Sequence, residues 1–226
     1  QDRNAEAEVL MRRALEISEE SEGPDSAMTA FDLISLGIHY TGQQRFAEAG
    51  PILERAHAIM SGPPAKNPGL AAARAALSHF RSLTRDFDGA AELLRDVLDE
   101  VLANPNRSPL DEADARLVLA QTLDLADDLT EAAEQATAAE AIYAREAPDS
   151  SSRYTALGVL GDLAMSTGRY EDALSIYLRV KDGPDILYGD NGSRSNIVLF
   201  DIGRAHLALG HTEEAIVALE GAVRRI

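Results

Sequence analysis

Asp111, Glu112 and Asp114 crowd one short stretch of the sequence, and Asp127 stands beside Asp128 a little further on. Two carboxyl groups facing each other across a substrate are the machinery of glycoside cleavage, one protonating the leaving oxygen and the other acting as base or nucleophile. A sugar cleft also needs aromatic walls, yet tryptophan is absent and aromatics make up 5% of the chain. Comparable acidic doublets recur as Glu171-Asp172 and Glu213-Glu214. Such repetition points to the first turns of helices, where acidic side chains complement the dipole and cap free amides. A glycan-active helical enzyme is therefore only the lesser alternative, and no catalytic residue is assigned.

Other chemistries lack their groups. The histidines are His39, His57, His79, His206 and His211, with no His-Glu-x-x-His motif and no i, i+4 pair to hold zinc on a helix. His206 and His211 flank a joint without a carboxylate partner, which suits packing or solvent better than a metal. Cysteine is absent, so thiol catalysis, thiolate metal sites and disulfides are excluded. No Gly-rich loop ends in Gly-Lys-Ser/Thr, and no Gly-x-Gly-x-x-Gly opens a helix. The expectation is a non-enzyme with no cofactor and no metal.

Charge narrows the partners. The formal net charge of −17 arises from 38 acidic and 21 basic residues. Residues 1–60, 61–125, 126–181 and 182–226 carry −6, −3, −5 and −3, so no basic half is hidden. A surface of this sign repels phosphate backbones and anionic lipid, which argues against nucleic-acid binding. No apolar run approaches the roughly 18 residues of a bilayer span, and no basic-then-apolar leader opens the chain. A cytoplasmic location is expected, with periplasmic or secreted locations left open.

What must position any site is a repeat. Ala7, Ala49, Ala90, Ala132, Ala173 and Ala215 recur at intervals of 42, 41, 42, 41 and 42 residues, each with apolar residues four and seven places on. A period of this length marks stacked helix pairs. Twelve residues before each alanine from the second onward stands a small residue, Gly37, Ser78, Ala120, Gly161 or Gly203. A bulky neighbour can fill the space it leaves and let two antiparallel helices approach closely. Leu53, Leu94, Ala136, Tyr177 and Leu219 take the fourth place after the alanine, which puts them on one helical face with it. Gly-Pro-Asp-Ser at 23–26, Gly-Pro-Pro at 62–64, Asn-Pro at 104–105 and Pro-Asp-Ser at 148–150 fall where one repeat should hand over to the next. Gly168 and Gly210 mark joints inside repeats. Eleven helices follow, near 2–20, 26–41, 45–60, 69–84, 88–103, 109–126, 129–145, 150–167, 170–181, 194–209 and 212–225.

The segments ISLGIHYTGQQRFAEA, GVLGDLAMSTGRYEDA and FDIGRAHLALGHTEEA carry a small, apolar, aromatic and alanine spacing that resembles the tetratricopeptide repeat. That repeat is usually about 34 residues long. The longer period, with RRALEI or ERAHAI before a turn, is similar to the kind found in kinesin light chains and in bacterial multidomain signalling proteins. The resemblance implies an all-α fold, an α-solenoid winding as a right-handed superhelix of antiparallel helix pairs. It covers residues 1–226 as a single continuous domain of five helix pairs and a leading helix. The leading helix lacks its partner and the end, Val-Arg-Arg-Ile, is still helical in pattern, so an excised piece of a longer protein is expected.

The family implies that first helices line a concave groove for a protein or peptide. By position, the inner residues are Phe31, Ile34, Ser35 and Ile38, with Ala72, Ala75 and His79, then Asp114, Leu117 and Gln121, then Thr155, Val159 and Asp162, and last Phe200, Asp201 and Arg204. Ile34, Leu117 and Phe200 suit packing between repeats as well as ligand contact. The Lys and Asn set by which some relatives clamp a terminal carboxylate is not matched. The acidic members favour a basic and apolar segment. A second candidate is the loop after Gly183-Pro184, where the repeat pattern breaks, with Asp185, Tyr188 and Asp190. The function expected is a protein-binding scaffold, the interaction or sensing segment of a larger signalling or regulatory protein. Self-association through the terminal helices is the alternative.

Overall fold

A computed structural model describes residues 2–62, 69–183 and 193–223. Among them are eleven α-helices and no strand. In chain order they are α1 (Asp2–Ser21), α2 (Ala27–Gly42), α3 (Phe46–Ser61), α4 (Leu70–Leu83), α5 (Phe87–Ala103), α6 (Pro109–Leu125), α7 (Leu129–Glu146), α8 (Ser151–Ser166), α9 (Tyr170–Lys181), α10 (Ser193–Ala208) and α11 (Thr212–Val223). The expected helices are all present, with ends displaced by a single residue at most, apart from α11, whose bound falls at the limit of the described residues. None of them is long and apolar enough to cross a membrane.

Starts and stops follow local chemistry. The Ser26 hydroxyl accepts the Thr29 amide at 3.1 Å to begin α2. Ser150 accepts the Arg153 amide at 3.3 Å to begin α8. At α6 the Ser108 hydroxyl accepts the Leu110 amide at 3.2 Å, while the Asp111 carboxylate accepts the Ser108 amide at 3.1 Å in a capping box. The joints within repeats are built alike. Gln44, Arg85, Asp127, Gly168 and Gly210 all take the left-handed conformation, with φ of 59°, 65°, 64°, 74° and 78°. The residue after each sends its amide back to the carbonyl of Tyr40, Arg81, Leu123, Ala164 or His206 at 2.8–2.9 Å. This is the Schellman closure of a helix C-terminus, which turns the chain directly into the second helix.

Closing three of the hairpins is the small residue noted in the sequence, glycine in each. A Cβ built on Gly37 would lie 2.5 Å from Leu53 Cδ2, and one on Gly203 would lie 2.6 Å from Leu219 Cγ. At Gly161 the same space is taken by the Tyr177 ring. The large residue sits sixteen positions after the small one in these pairs, as the antiparallel register requires.

The helices form two compact units, residues 1–99 and 100–226, divided within α5. In the first unit α1, α2, α3 and α4 pack in succession, and α2 also touches α4 directly. Its core joins Leu33, Leu53, Met60, Leu77 and Leu93, with Tyr40 against Ala49 beside it. In the second unit α6 to α11 pack in succession and α6 touches α8. Leu157, Tyr177, Val180, Val198 and Ile202 form its larger core. Consecutive helices stacked on their neighbours are the arrangement of an α-solenoid. The break at Gly183 ends α9 after 12 residues, against 16, 17 and 18 for α3, α5 and α7. A side chain at Gly183 would collide with the Tyr154 ring of α8.

Candidate functional site

In the first unit the sequence candidates lie on α2 and α4. Phe31, Ser35 and Ile38 recur at i, i+4 and i+7, which sets them on one stripe of α2. Phe31 is 41% and Ile38 54% exposed. Ser35 is also exposed, its hydroxyl donating to the Phe31 carbonyl at 2.9 Å. His79, Ala72 and Ala75 are exposed on α4, and Ile34 is buried in the core. One edge of Phe31 is taken up by packing, since a Cβ on Gly69 would come within 2.9 Å of its Cζ. The α2 stripe is mainly apolar, and α4 adds the exposed His79.

In the second unit the candidates are more polar and their carboxylates are held. The Tyr143 hydroxyl donates to Asp114 at 2.5 Å, and the Tyr177 hydroxyl donates to Asp162 at 2.7 Å. Both phenols are pushed well above their usual range, chiefly by burial and then by these carboxylates, so they remain protonated donors. Gln121 is exposed, Thr155 and Val159 are half-buried, and Leu117 belongs to the core. The Thr155 hydroxyl turns back to the Ser151 carbonyl at 3.0 Å. Phe200, 51% exposed, stays at the surface with the Arg204 guanidinium 6.0 Å from its ring centre. Arg204 donates to Asp201 at 3.2 Å.

Asp162 forms the middle of an acidic field. Burial, and then repulsion from Asp162, push Asp201 of α10 up to about 6. Asp124 of α6 is raised by burial, then by Asp162 and Asp127. Three consecutive first helices thus bring carboxylates near one another, where a cationic side chain would relieve the repulsion. Asp124 was not among the sequence candidates. It takes the place held by Thr41, Ser82, Met165 and Leu207 in the other repeats, a position with no constant chemistry, so an aspartate there does not stand out.

Several members of the acidic clusters at 111–114 and 127–128 have structural partners. Asp111 belongs to the capping box, and Asp128 caps α7 by accepting the Glu131 amide at 3.3 Å. Glu112 accepts from both Arg107 and Arg116 at 3.0 Å. His206 and His211 face each other across their joint with Nδ1 atoms 3.4 Å apart. Among the described residues no group of three or more His, Asp and Glu is placed to hold a metal. Asp185, Tyr188 and Asp190 lie outside the described residues.

Family models described as tetratricopeptide repeat match residues 1–62, 156–185 and 198–225. No curated protein matches the sequence. Among solved structures, BtubC (BKLC) from P. vanneervenii is similar with a TM-score of 0.77 at 16% identity, over 98% of this chain and 90% of that one. A Podosopora anserina putative kinesin light chain with nearly identical TPR-like repeats aligns at 0.71 and 22% identity, over 85% and 92%. YrrB, described as a TPR protein with an unusual peptide-binding site, aligns at 0.60 and 14% identity, over 94% and 92%.

Proposed function

Because the chain belongs to the tetratricopeptide-repeat family, we propose that it is a protein-interaction scaffold whose first-helix faces bind a segment of a partner protein. One observation carries this reading. The residue directly after each small helix-contact residue is Ile38, His79, Gln121, Asp162 or Arg204, and none of the five is buried. The fold demands the small residue and leaves the next one at least partly open to solvent, so its chemistry can serve a ligand. The description of YrrB as peptide-binding supports the same reading.

In the second unit the acidic field around Asp162, beside exposed Phe200, suits an extended or helical segment with Lys or Arg next to apolar anchors. In the first unit Phe31 and Ile38 offer apolar contact. The scaffold acts as a binding module with no catalysis of its own, as the interaction or sensing segment of a larger signalling or regulatory protein. The test is to capture a partner on the whole chain, identify its binding segment, and titrate that segment at two salt concentrations against wild type and Asp162→Asn/Asp201→Asn. Attraction between charges is screened over about 8 Å at physiological ionic strength. Binding should weaken with salt and in the double variant, while an apolar part persists. Equal affinity under all these conditions would remove the first-helix face as the site.

A further inference from the structure

Among the described residues one kind of groove recurs at three places. In each, a first helix forms the floor between two second helices: α4 between α3 and α5, α8 between α7 and α9, α10 between α9 and α11. The cavities there measure about 570, 330 and 470 Å³. In the repeat register Arg81, Ala164 and His206 are one floor position. Glu92, Ser175 and Val217 are one position on the later wall. Thr137 of α7 and Leu178 of α9 are one position on the earlier wall.

The lining changes along the chain while the backbone plan stays the same. The α3–α5 groove is charged, with His57, Arg81, Glu92 and Asp96. The α7–α9 groove presents Thr137 and Ser175. The α9–α11 groove presents Leu178 and Val217 over Leu199 and Ile202. Val217 is 72% and Leu178 38% exposed. These positions are not covered by a following repeat, because Glu92, Thr137 and Ser175 are followed by further repeats and remain exposed. Solubility favours polar residues there, and the fold accepts them. Leucine and valine in their place join Leu199 and Ile202 in one apolar lining that the fold does not require, and it is this continuity that marks an interaction site.

We propose that the α9–α11 groove is a second docking site, taking a short amphipathic helix of a partner protein with apolar anchors and a basic flank. A wall residue as open as Val217 requires a ligand that brings its own cover, which a helix laid against two helices does through its ridges. Apolar side chains at i, i+3 or i+4, and i+7 would enter between Leu178 and Val217. Glu213 and Glu214, both exposed at the start of α11, stand on the later side, while Lys181, exposed at the end of α9, stands on the earlier side, so the basic flank of the ligand faces α11. This site is separate from the first-helix face and does not depend on it.

The probe is a displayed library of helical peptides of about 14 residues, long enough to hold a helix when docked. It is selected on the whole chain and counter-selected on Leu178→Thr/Val217→Ser. That variant carries the residues of the α7–α9 groove at the same positions, so its melting curve should match wild type. Enriched peptides should show apolar residues at helical spacing with Lys or Arg alongside. Their affinity should fall about tenfold or more in the double variant, as for loss of anchor contacts. Glu213→Gln/Glu214→Gln should weaken them less, and Asp162→Asn/Asp201→Asn should leave them unchanged. No differential enrichment would overturn the proposal. So would enriched peptides that lose affinity only with Asp162 and Asp201, or peptides without basic residues that ignore Glu213 and Glu214.

Discussion

The Tyr177 ring of α9 occupies the space that a Cβ on Gly161 of α8 would need, its Cδ1 and Cζ both 2.9 Å from that point. Tyr177 is 1% exposed, and its hydroxyl reaches past the contact to Asp162 at 2.7 Å. The glycine therefore admits an aromatic residue to the hairpin core and also positions a carboxylate of the candidate face.

Gly161→Ala should destabilise the protein, although alanine is the better helix former by about 1 kcal/mol. Overpacking of a closed contact costs about 1–3 kcal/mol, so a net loss of up to about 2 kcal/mol is expected from urea unfolding. Gly158→Ala is the matched control on the same helix. Nothing lies within 4 Å of its missing Cβ, so that change should stabilise by up to about 1 kcal/mol.

The left-handed joints make opposite predictions for opposite substitutions. Gly168→Ala at φ 74° should cost about 1 kcal/mol or more, because Cβ crowds the following carbonyl there. Gln44→Gly at φ 59° removes the same crowding from an exposed residue and should stabilise by a comparable amount, about 1 kcal/mol. Shifts of equal sign in the two variants, measured by thermal melting, would contradict the shared joint conformation.

Asp201 gives a pH dependence of definite sign. Its folded pKa, about 6, lies above the usual carboxylate range because of burial and Asp162. The folded state then holds the proton more tightly than the unfolded chain, so this group lowers stability as pH rises from about 4 to about 6. Asp201→Asn removes the buried charge. It should raise the melting temperature near pH 7 and have little effect near pH 4, the gain at neutral pH being on the order of 2 kcal/mol. A gain of equal size at both pH values would assign the effect to packing.

Arg45 fastens α1. Its guanidinium lies 4.3 Å from the Tyr40 ring centre and donates to Glu8 of α1 and Glu48 of α3, each at 2.5 Å. Arg45→Met keeps apolar contact with the ring but removes the ion pairs. Hydrogen exchange in α1 should quicken while α6 to α11 keep their protection, a regional change readable by mass spectrometry.

The sequence displays what repeats and hides what depends on distance in space. Helix number and bounds were legible because small residues, alanines and Pro or Gly turns recur at one period. The left-handed joints at Gln44, Arg85 and Asp127 were not, since none is glycine and only the shared backbone bond reveals them. Ile34 and Leu117 proved to be core, whereas Phe200 stayed at the surface, a distinction that side-chain type alone does not make. Asp124 entered the acidic field through its approach to Asp162 on another helix. The apolar turn taken by the third groove required knowing which positions stay exposed in the earlier ones.

The small and large partners of each hairpin also constitute a heritable constraint. Gly37 faces Leu53, Gly161 faces Tyr177 and Gly203 faces Leu219, whereas at Ala120, which has gained a carbon, the residue in the facing register is only Ala136. At the three glycines, mutation of either position alone either collides or leaves a void, so a change at one favours a compensating change at the other. Descent in such a family should leave paired substitutions sixteen residues apart in the hairpins closed by glycine, whereas Ser78 still stands in register with Leu94.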